Sequence, residues 1–383
     1  MKRKVLIIAT MLIMSLTFMA CNNQNEPEYV TPSQTQETKE TKEETKPNKT
    51  VTSNEFNYTA SEIVEKMGMG WNLGNALDSC SYKENVTVTE ESFGNVATTK
   101  DIIDMVKDIG FSSVRIPVSY YNYMDAEGNI DEQWLSRVKE VVDYVIDNDM
   151  YCIINVHHDT GSDGWLTADE ASYQVNSDKL VNMWTQIANY FKDYDSKLLF
   201  EGYNEILNSE KKWSYAGLES YNTANKLNQD FVSAVRNTGG NNAERYLIVN
   251  TYAASAEVEV IDNFVLPEDT KENKLIAQVH SYVGIDKMPS VIDNIKTRFV
   301  DEGIPVIIGE TAMSKDNTTE DRILFARLLN TKAKQNKIAM FWWDDGNYSQ
   351  DTTNLTDVCS YALINRNLKQ WVYEDIANAF LGK

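Results

Sequence analysis

Short apolar runs recur along the chain and alternate with stretches of helical period. The runs are MGMGWNLGN (67–75), FSSVRIPVSY (111–120), YCIINVHH (151–158), KLLFEGYNE (197–205), RYLIVNTY (245–252), KLIAQVHSY (274–282), PVIIGE (305–310) and KIAMFWW (337–343). Their lengths suit strands. Between them, TTKDIIDMVKDIG sets Ile102, Val106 and Ile109 on one helical face, with Thr98 or Thr99 placed to cap it. WLSRVKEVVDYVIDN, LVNMWTQIANYF, NTANKLNQDFVSAVR, VIDNIKTRFVDEG and EDRILFARLLNTKAKQ follow the same logic, and WVYEDIANAF closes the chain. Strand–helix alternation repeated eight times predicts a parallel sheet with helical crossovers. Eight units over this length fit a closed (β/α)8 TIM barrel better than an open doubly wound sheet. No GxGxxG follows the first run, so a dinucleotide site loses its main support. Gly68, Gly70 and Gly74 mark close backbone packing in that first strand.

The barrel pattern starts only near residue 56. Residues 1–20 read as an export signal, with basic MKRK, then an apolar stretch too short for an ordinary membrane span, then Ala20 before Cys21. A small residue directly before this cysteine resembles a bacterial lipobox, so Cys21 is the expected lipidation site. Residues 21–55, dominated by Thr, Glu, Lys, Gln and Pro, bury too little apolar surface to offset ordering entropy and read as a disordered tether. The division is therefore a signal over 1–20, a linker over 21–55 and a catalytic barrel over 56–383. The protein is expected at the cell surface, touching the membrane only through the lipid. Cys80, Cys152 and Cys359 remain, an odd number with no zinc-module spacing. The formal net charge of −21 argues against nucleic acid and against an acidic polysaccharide, and suits a neutral polymer.

In a barrel of this kind, side chains at the C-terminal strand ends converge on one mouth. All three histidines of the chain sit at such ends: His157, His158 and His280. So do Glu205 and Glu310. Arg115, Asn204, Tyr282 and Trp343 occupy the same level. Two glutamates on separate strands point to glycoside cleavage, because breaking an acetal needs an acid for the leaving oxygen and a carboxylate for the anomeric carbon. Asn204 offers an amide for a sugar hydroxyl. Arg115 and Tyr282 are placed to donate to Glu310 and keep it ionised. Trp343 offers a flat apolar face for a sugar ring. Trp165 and Trp213 lie in the loops after strands 3 and 4, where they either line further sugar subsites or cover the barrel rim. Asn75, Asp345 and Asn347 either bond sugar hydroxyls or serve turns.

These blocks resemble the family 5 glycoside hydrolases, most closely their subfamily 4, over about residues 60–380. GWNLGNALDS (70–79) is similar to that subfamily's opening motif, and the segment ending in RIP (115–117) to its next block. VHHD, NE, HSY, IGE and WWDDGN follow in the family's order. The resemblance implies retaining hydrolysis with Glu205 as general acid/base and Glu310 as nucleophile. It implies that Arg115, His157, Asn204, His280, Tyr282 and Trp343 hold the reacting sugar, with no metal and no organic cofactor. Three positions depart from the family pattern: Ile206 stands where proline is usual, Thr311-Ala312 where a Phe-Gly type turn is usual, and Asp345 where asparagine is commoner. Adjacent strand residues point to opposite sides, so only one of His157 and His158 enters the mouth directly. The resemblance selects His157, leaving His158 behind it.

The sequence thus predicts a monomeric, surface-tethered endo-β-1,4-glucanase acting on neutral β-1,4-linked plant polysaccharide. Xyloglucan, mixed-linkage glucan, xylan and mannan are the alternative substrates on this scaffold. A non-catalytic glycan-binding lipoprotein is the rival outside enzymology. A metal site built from His157, His158 and Asp159 is a second rival.

Overall fold

The computed structural model describes residues 56–383. The expected signal, Cys21 and the linker lie outside these residues. Eight parallel strands close a barrel in sequence order. They are β1 (Met69–Leu73), β2 (Ser113–Ile116), β3 (Tyr151–Asn155), β4 (Leu198–Glu201), β5 (Leu247–Ser255), β6 (Leu275–His280), β7 (Val306–Thr311) and β8 (Ala339–Asp344), and β8 pairs back onto β1. Every run read as a strand overlaps one.

The helices pack outside. They are α2 (Lys100–Asp108), α3 (Glu132–Asp147), α4 (Tyr173–Tyr190), α5 (Leu218–Asn237), α6 (Val258–Asp262), α7 (Met288–Ile295) and α8 (Thr319–Asn336), with α9 (Glu374–Leu381) after the last strand. The face predicted for the first crossover is observed, since Ile102, Ile103 and Val106 are buried. Thr99 is its N-cap, without a side-chain cap bond.

Another helix, α1 (Ala60–Met67), was not anticipated. A capping box starts it: Glu62 N–H donates to Thr59 Oγ1 at 3.2 Å, and Thr59 N–H donates to Glu62 Oε2 at 2.7 Å. Its buried Ala60, Ile63, Val64 and Met67 form an apolar cluster with Ile153, Leu199, Ile276, Ile307 and Phe341. This cluster is separate from the larger one shared with the outer helices and plugs the N-terminal end of the barrel. Chemistry is left to the other end. There the ladders loosen: register shifts fall between Asn250 and Ser255, between Val279 and His280, and between Ile308 and Thr311. Such irregularities re-aim side chains next to active sites.

Candidate active site

Apolar strands that carry polar residues at their ends must satisfy those residues internally. Here they do so around one guanidinium. Arg115 on β2 is fully buried, and all five of its N–H groups are used. Nε and Nη2 grip Glu201 at 2.6 and 2.7 Å. Nη1 donates to Glu310 Oε1 at 2.7 Å and to Asn72 Oδ1 at 3.0 Å. Nη2 also donates to Asn204 Oδ1 at 2.8 Å, which leaves the Asn204 NH2 group as a donor at the cleft.

Glu310 on β7 receives a second hydrogen bond from Tyr282, 2.8 Å to Oε2. Burial alone would raise the pKa of this carboxyl. The nearby His280 and Arg115 and the Tyr282 hydrogen bond outweigh it, so Glu310 is held below the usual carboxylate range. Glu205 has a different environment. It lies four residues past the end of β4 and half-buried, with Oε1 2.8 Å from His280 Nδ1. Its backbone N–H donates to Thr160 Oγ1, and its carbonyl accepts from Gly161. One carboxylate oxygen from each glutamate and one nitrogen of His280 lie within 4.8 Å of one another. That spacing fits a retaining pair, whose carboxyls sit about 5–5.5 Å apart, and not an inverting pair at about 6.5–9.5 Å.

The remaining predicted residues divide. His157 is buried, stacked on Trp343 with ring centres 5.7 Å apart. Burial, and then the positive neighbours His158, Arg115 and His280, depress its pKa well below the ordinary value. Trp343 in turn packs over Gly74, where a Cβ would come within 2.6 Å of the indole, so the first-strand glycine makes room for that ring.

His158, which the sequence also offers as a substrate-binding residue, lies in the cleft lining, and the alternation expected of the two histidines fails. Strand alternation does not apply, because β3 ends at Asn155. Both histidines face the mouth, with ring centres 4.6 Å apart, and it is His158 that lines the cleft. Its Nε2 lies 3.5 Å from Asp78 Oδ2. Burial would lower the His158 pKa, but Asp78 prevails, and the pKa is raised.

Asp159 stands apart from the histidine cluster. Its oxygens accept from the Tyr120 amide at 2.8 Å and the Trp165 indole at 2.6 Å. The acid grouped with His157 and His158 is Asp78, whose oxygens are taken by the Asn75 and Ala76 amides.

Trp165 falls on the second of its two expected roles, cover at the barrel rim. Pinned to Asp159 and covered by Lys179 at 3.9 Å, it does not line the cleft. Trp213 does, together with Phe93, in a volume of about 670 Å³ that also takes in Tyr82, His158, Asn204 and Glu205. Asn75, Asp345 and Asn347 are each tied to backbone groups of neighbouring segments. Asn75 has a left-handed φ of 55° and accepts from Asn95. Asp345 faces the Tyr361 amide at 2.9 Å, and Asn347 Oδ1 receives the Arg366 amide. The asparagines and glutamate that bind Arg115 or its partners were missed: Asn72, Asn155 and Glu201. Their signal was present, since each interrupts an apolar run (WNL, IIN, LFE) in a strand buried on both sides.

Residues 77–349 match the family model described as cellulase, glycosyl hydrolase family 5. The chain belongs to that family. The family 5 chain is 35% identical over 349 residues to endoglucanase A of Clostridium longisporum, covering 84% of this chain and 65% of that protein. It is 37% identical to the cellulase/esterase CelE of Acetivibrio thermocellus, again over 84% of this chain but only 40% of the relative. The chain therefore spans less than two thirds of these relatives' length. A solved GH5-4 broad specificity endoglucanase from Ruminococcus champanellensis, with bound cellotriose, superposes with a TM-score of 0.78 at 38% identity, covering 85% of this chain and 98% of that one.

Proposed function

We propose that the protein is a retaining endo-β-1,4-glucanase in which Glu310 is the nucleophile and Glu205 the acid/base. The observation that carries this reading is the asymmetry of two close carboxyls. Glu310 is buried, ion-paired and held ionised, and Glu205 is partly open to the cleft, its carboxylate meeting the His280 ring. In the first step a Glu310 oxygen attacks the anomeric carbon while Glu205 gives its proton to the departing glycosidic oxygen. In the second step Glu205 takes a proton from water, the water oxygen bonds the same carbon, and Glu310 leaves. His157 and Trp343 form the floor beneath the reacting sugar. Asn204 offers a hydroxyl donor.

The aromatic residues Tyr82, Phe93 and Trp213 that line the cleft favour attack within a chain, and the net charge of −21 favours a neutral polymer. Reducing-sugar release would be measured on barley β-glucan, carboxymethylcellulose, xyloglucan, xylan and mannan, with the wild type beside Glu310→Gln. Release from β-1,4-glucans that vanishes in the variant is expected. Binding without release from any polymer would move the assignment to a glycan-binding protein.

The export signal, lipidation at Cys21 and a cell-surface location belong to the same proposal, supported by the sequence of residues 1–55. Fatty-acid labelling that persists in Cys21→Ser would refute the anchor. The same proposal takes the protein as a monomer; light scattering at the dimer mass would refute it.

A further inference from the structure

Two buried amides stand two residues before the two buried histidines of the site: Asn155 before His157, and Gln278 before His280. Gln278 and His280 are two apart on β6 and share a face, whereas Asn155 is the last residue of β3 and meets His157 where the chain leaves the strand. Asn155 Nδ2 lies 3.1 Å from His157 Nδ1, and Gln278 Nε2 lies 3.3 Å from His280 Nε2. The ring nitrogens are different ones, and an NH2 group can only donate.

The orientation of Asn155 is set independently of its histidine. Its Oδ1 accepts the Val118 amide at 3.1 Å, and its Nδ2 also donates to Glu201 Oε1 at 3.0 Å. His157 Nδ1 must then accept, which puts the proton of the neutral ring on Nε2. At His280 the argument runs from the other side. Nδ1 faces the Glu205 carboxylate at 2.8 Å and must donate to it. Nε2 of the neutral ring is then a lone pair, and only the NH2 end of Gln278 can meet it. Gln278 keeps that end forward although its Oε1 has no hydrogen-bond partner among the described residues. Turning the amide over would set Oε1 against the lone pair. The side chain is wedged against Gly309, where a Cβ would come within 2.4 Å of its amide carbon and oxygen.

We propose that Asn155 and Gln278 are positioning residues that lock His157 and His280 in opposite tautomers, Nε2–H and Nδ1–H respectively. Resting on the acid/base reading of Glu205, the consequence is that Oε1 is committed as an acceptor and the proton delivered to the leaving group rides on Oε2. His157, with Nδ1 occupied, offers an N–H donor and no lone pair.

The test is nitrogen NMR of the whole protein carrying 15N-labelled histidine, without substrate, at a pH where the rings are neutral. Three histidines make the spectrum assignable by replacing one at a time. The expected wild-type result is an unprotonated Nδ1 at His157 and an unprotonated Nε2 at His280. The same tautomer at both, or a His280 protonated on both nitrogens, overturns the proposal. Gln278→Glu replaces a donor with an acceptor and is expected to protonate His280 Nε2 while leaving His157 unchanged. Should that variant fold poorly, Gln278→Met removes the amide at similar volume and is expected to give mixed tautomers at His280. A single Nδ1–H form persisting in it shows that Glu205 alone sets the ring, and overturns the role of Gln278. These spectra do not depend on turnover, so a silent polymer panel would sink the glucanase reading and leave the tautomers to stand or fall alone.

Discussion

Glu201→Gln is the most incisive perturbation of the site, because Glu201 touches no reacting atom and yet neutralises Arg115. The pair is fully buried, with two charge-assisted bonds of 2.6 and 2.7 Å. A glutamine keeps the shape, removes the charge, and turns an NH2 group toward guanidinium N–H groups that cannot accept. Breaking one side of a buried ion pair costs about 3–5 kcal/mol. For a folded unit of about 330 residues, unfolding entropy of about 2.1 cal/mol/K per residue converts this to a melting temperature lower by about 4–7 °C. Arg115 would then be balanced by Glu310 alone, and its hold on the nucleophile would loosen. A displacement of order 1 Å at a reacting group lowers turnover about 10²-fold. Calorimetry and kcat measured well below the transition give both numbers. The double variant Arg115→Met/Glu201→Met is expected to melt above Arg115→Met, which leaves both Glu201 and Glu310 buried without the guanidinium, and to be inactive. An unchanged melting temperature in Glu201→Gln, or a double variant less stable than both singles, would refute the pairing argument.

Tyr282→Phe removes one of the donors that hold the Glu310 pKa down, so the acidic limb of the kcat/KM profile is expected to move to higher pH; an unmoved limb counts against Glu310 as the ionised nucleophile. Glu205→Gln is expected to slow polymer hydrolysis by about 10²–10⁴-fold, less so for an aryl glycoside whose leaving group needs no proton, and added azide should restore that substrate's turnover; equal losses on both substrates would remove the acid/base assignment. Trp213→Ala, at the open side of the cleft, is expected to raise KM for long chains about tenfold, from about 1.4 kcal/mol of lost stacking, with kcat little changed; calorimetric binding of an oligosaccharide checks it. The Asp345 pKa is raised from 3.8 to about 6 by burial and by its neighbour Asp344. A carboxyl with a raised folded-state pKa binds its proton more tightly when folded, so it costs nothing at low pH and destabilises progressively as pH rises through that window. Asp345→Asn is therefore expected to gain stability over the wild type as pH climbs from about 4 to about 6, reaching about 3 kcal/mol at neutral pH; a pH-independent difference in denaturant unfolding would refute it.

Most of the architecture was legible because it rests on local pattern. Strand runs and helical faces repeat at their own periods, and the eight-fold alternation left few topologies. The helix that plugs the barrel was missed: Thr59 and Glu62 make a capping box, but the segment lies beside the polar linker and precedes the first strand, where the alternation gives no reason to expect a helix. The adjacent histidines were misjudged for a related reason. Alternation holds only inside a strand, and periodicity does not tell that β3 stops at Asn155, two residues short of His157.

The polar framework was hidden for a different reason. Arg115 and Glu310 are 195 residues apart, and Arg115 and Glu201 are 86 apart. Which of two glutamates in LLFEGYNE meets the arginine depends on how far the chain runs past the strand. Glu201, the last residue of β4, stays in the wall and becomes the counter-ion. Glu205, four residues on, clears the wall and reaches the cleft. The same local sequence thus supplies one carboxylate that the fold needs charged and one whose proton the chemistry needs to move. Arg115 joins Glu201 to Glu310 through a single planar group, so the network at the barrel mouth also fixes the charge of the nucleophile. A substitution chosen to strengthen the barrel at Asn72, Asn155 or Glu201 would therefore change the reaction as well, and stabilising changes compatible with activity should be sought at the other end, where α1 packs on a mainly apolar cluster.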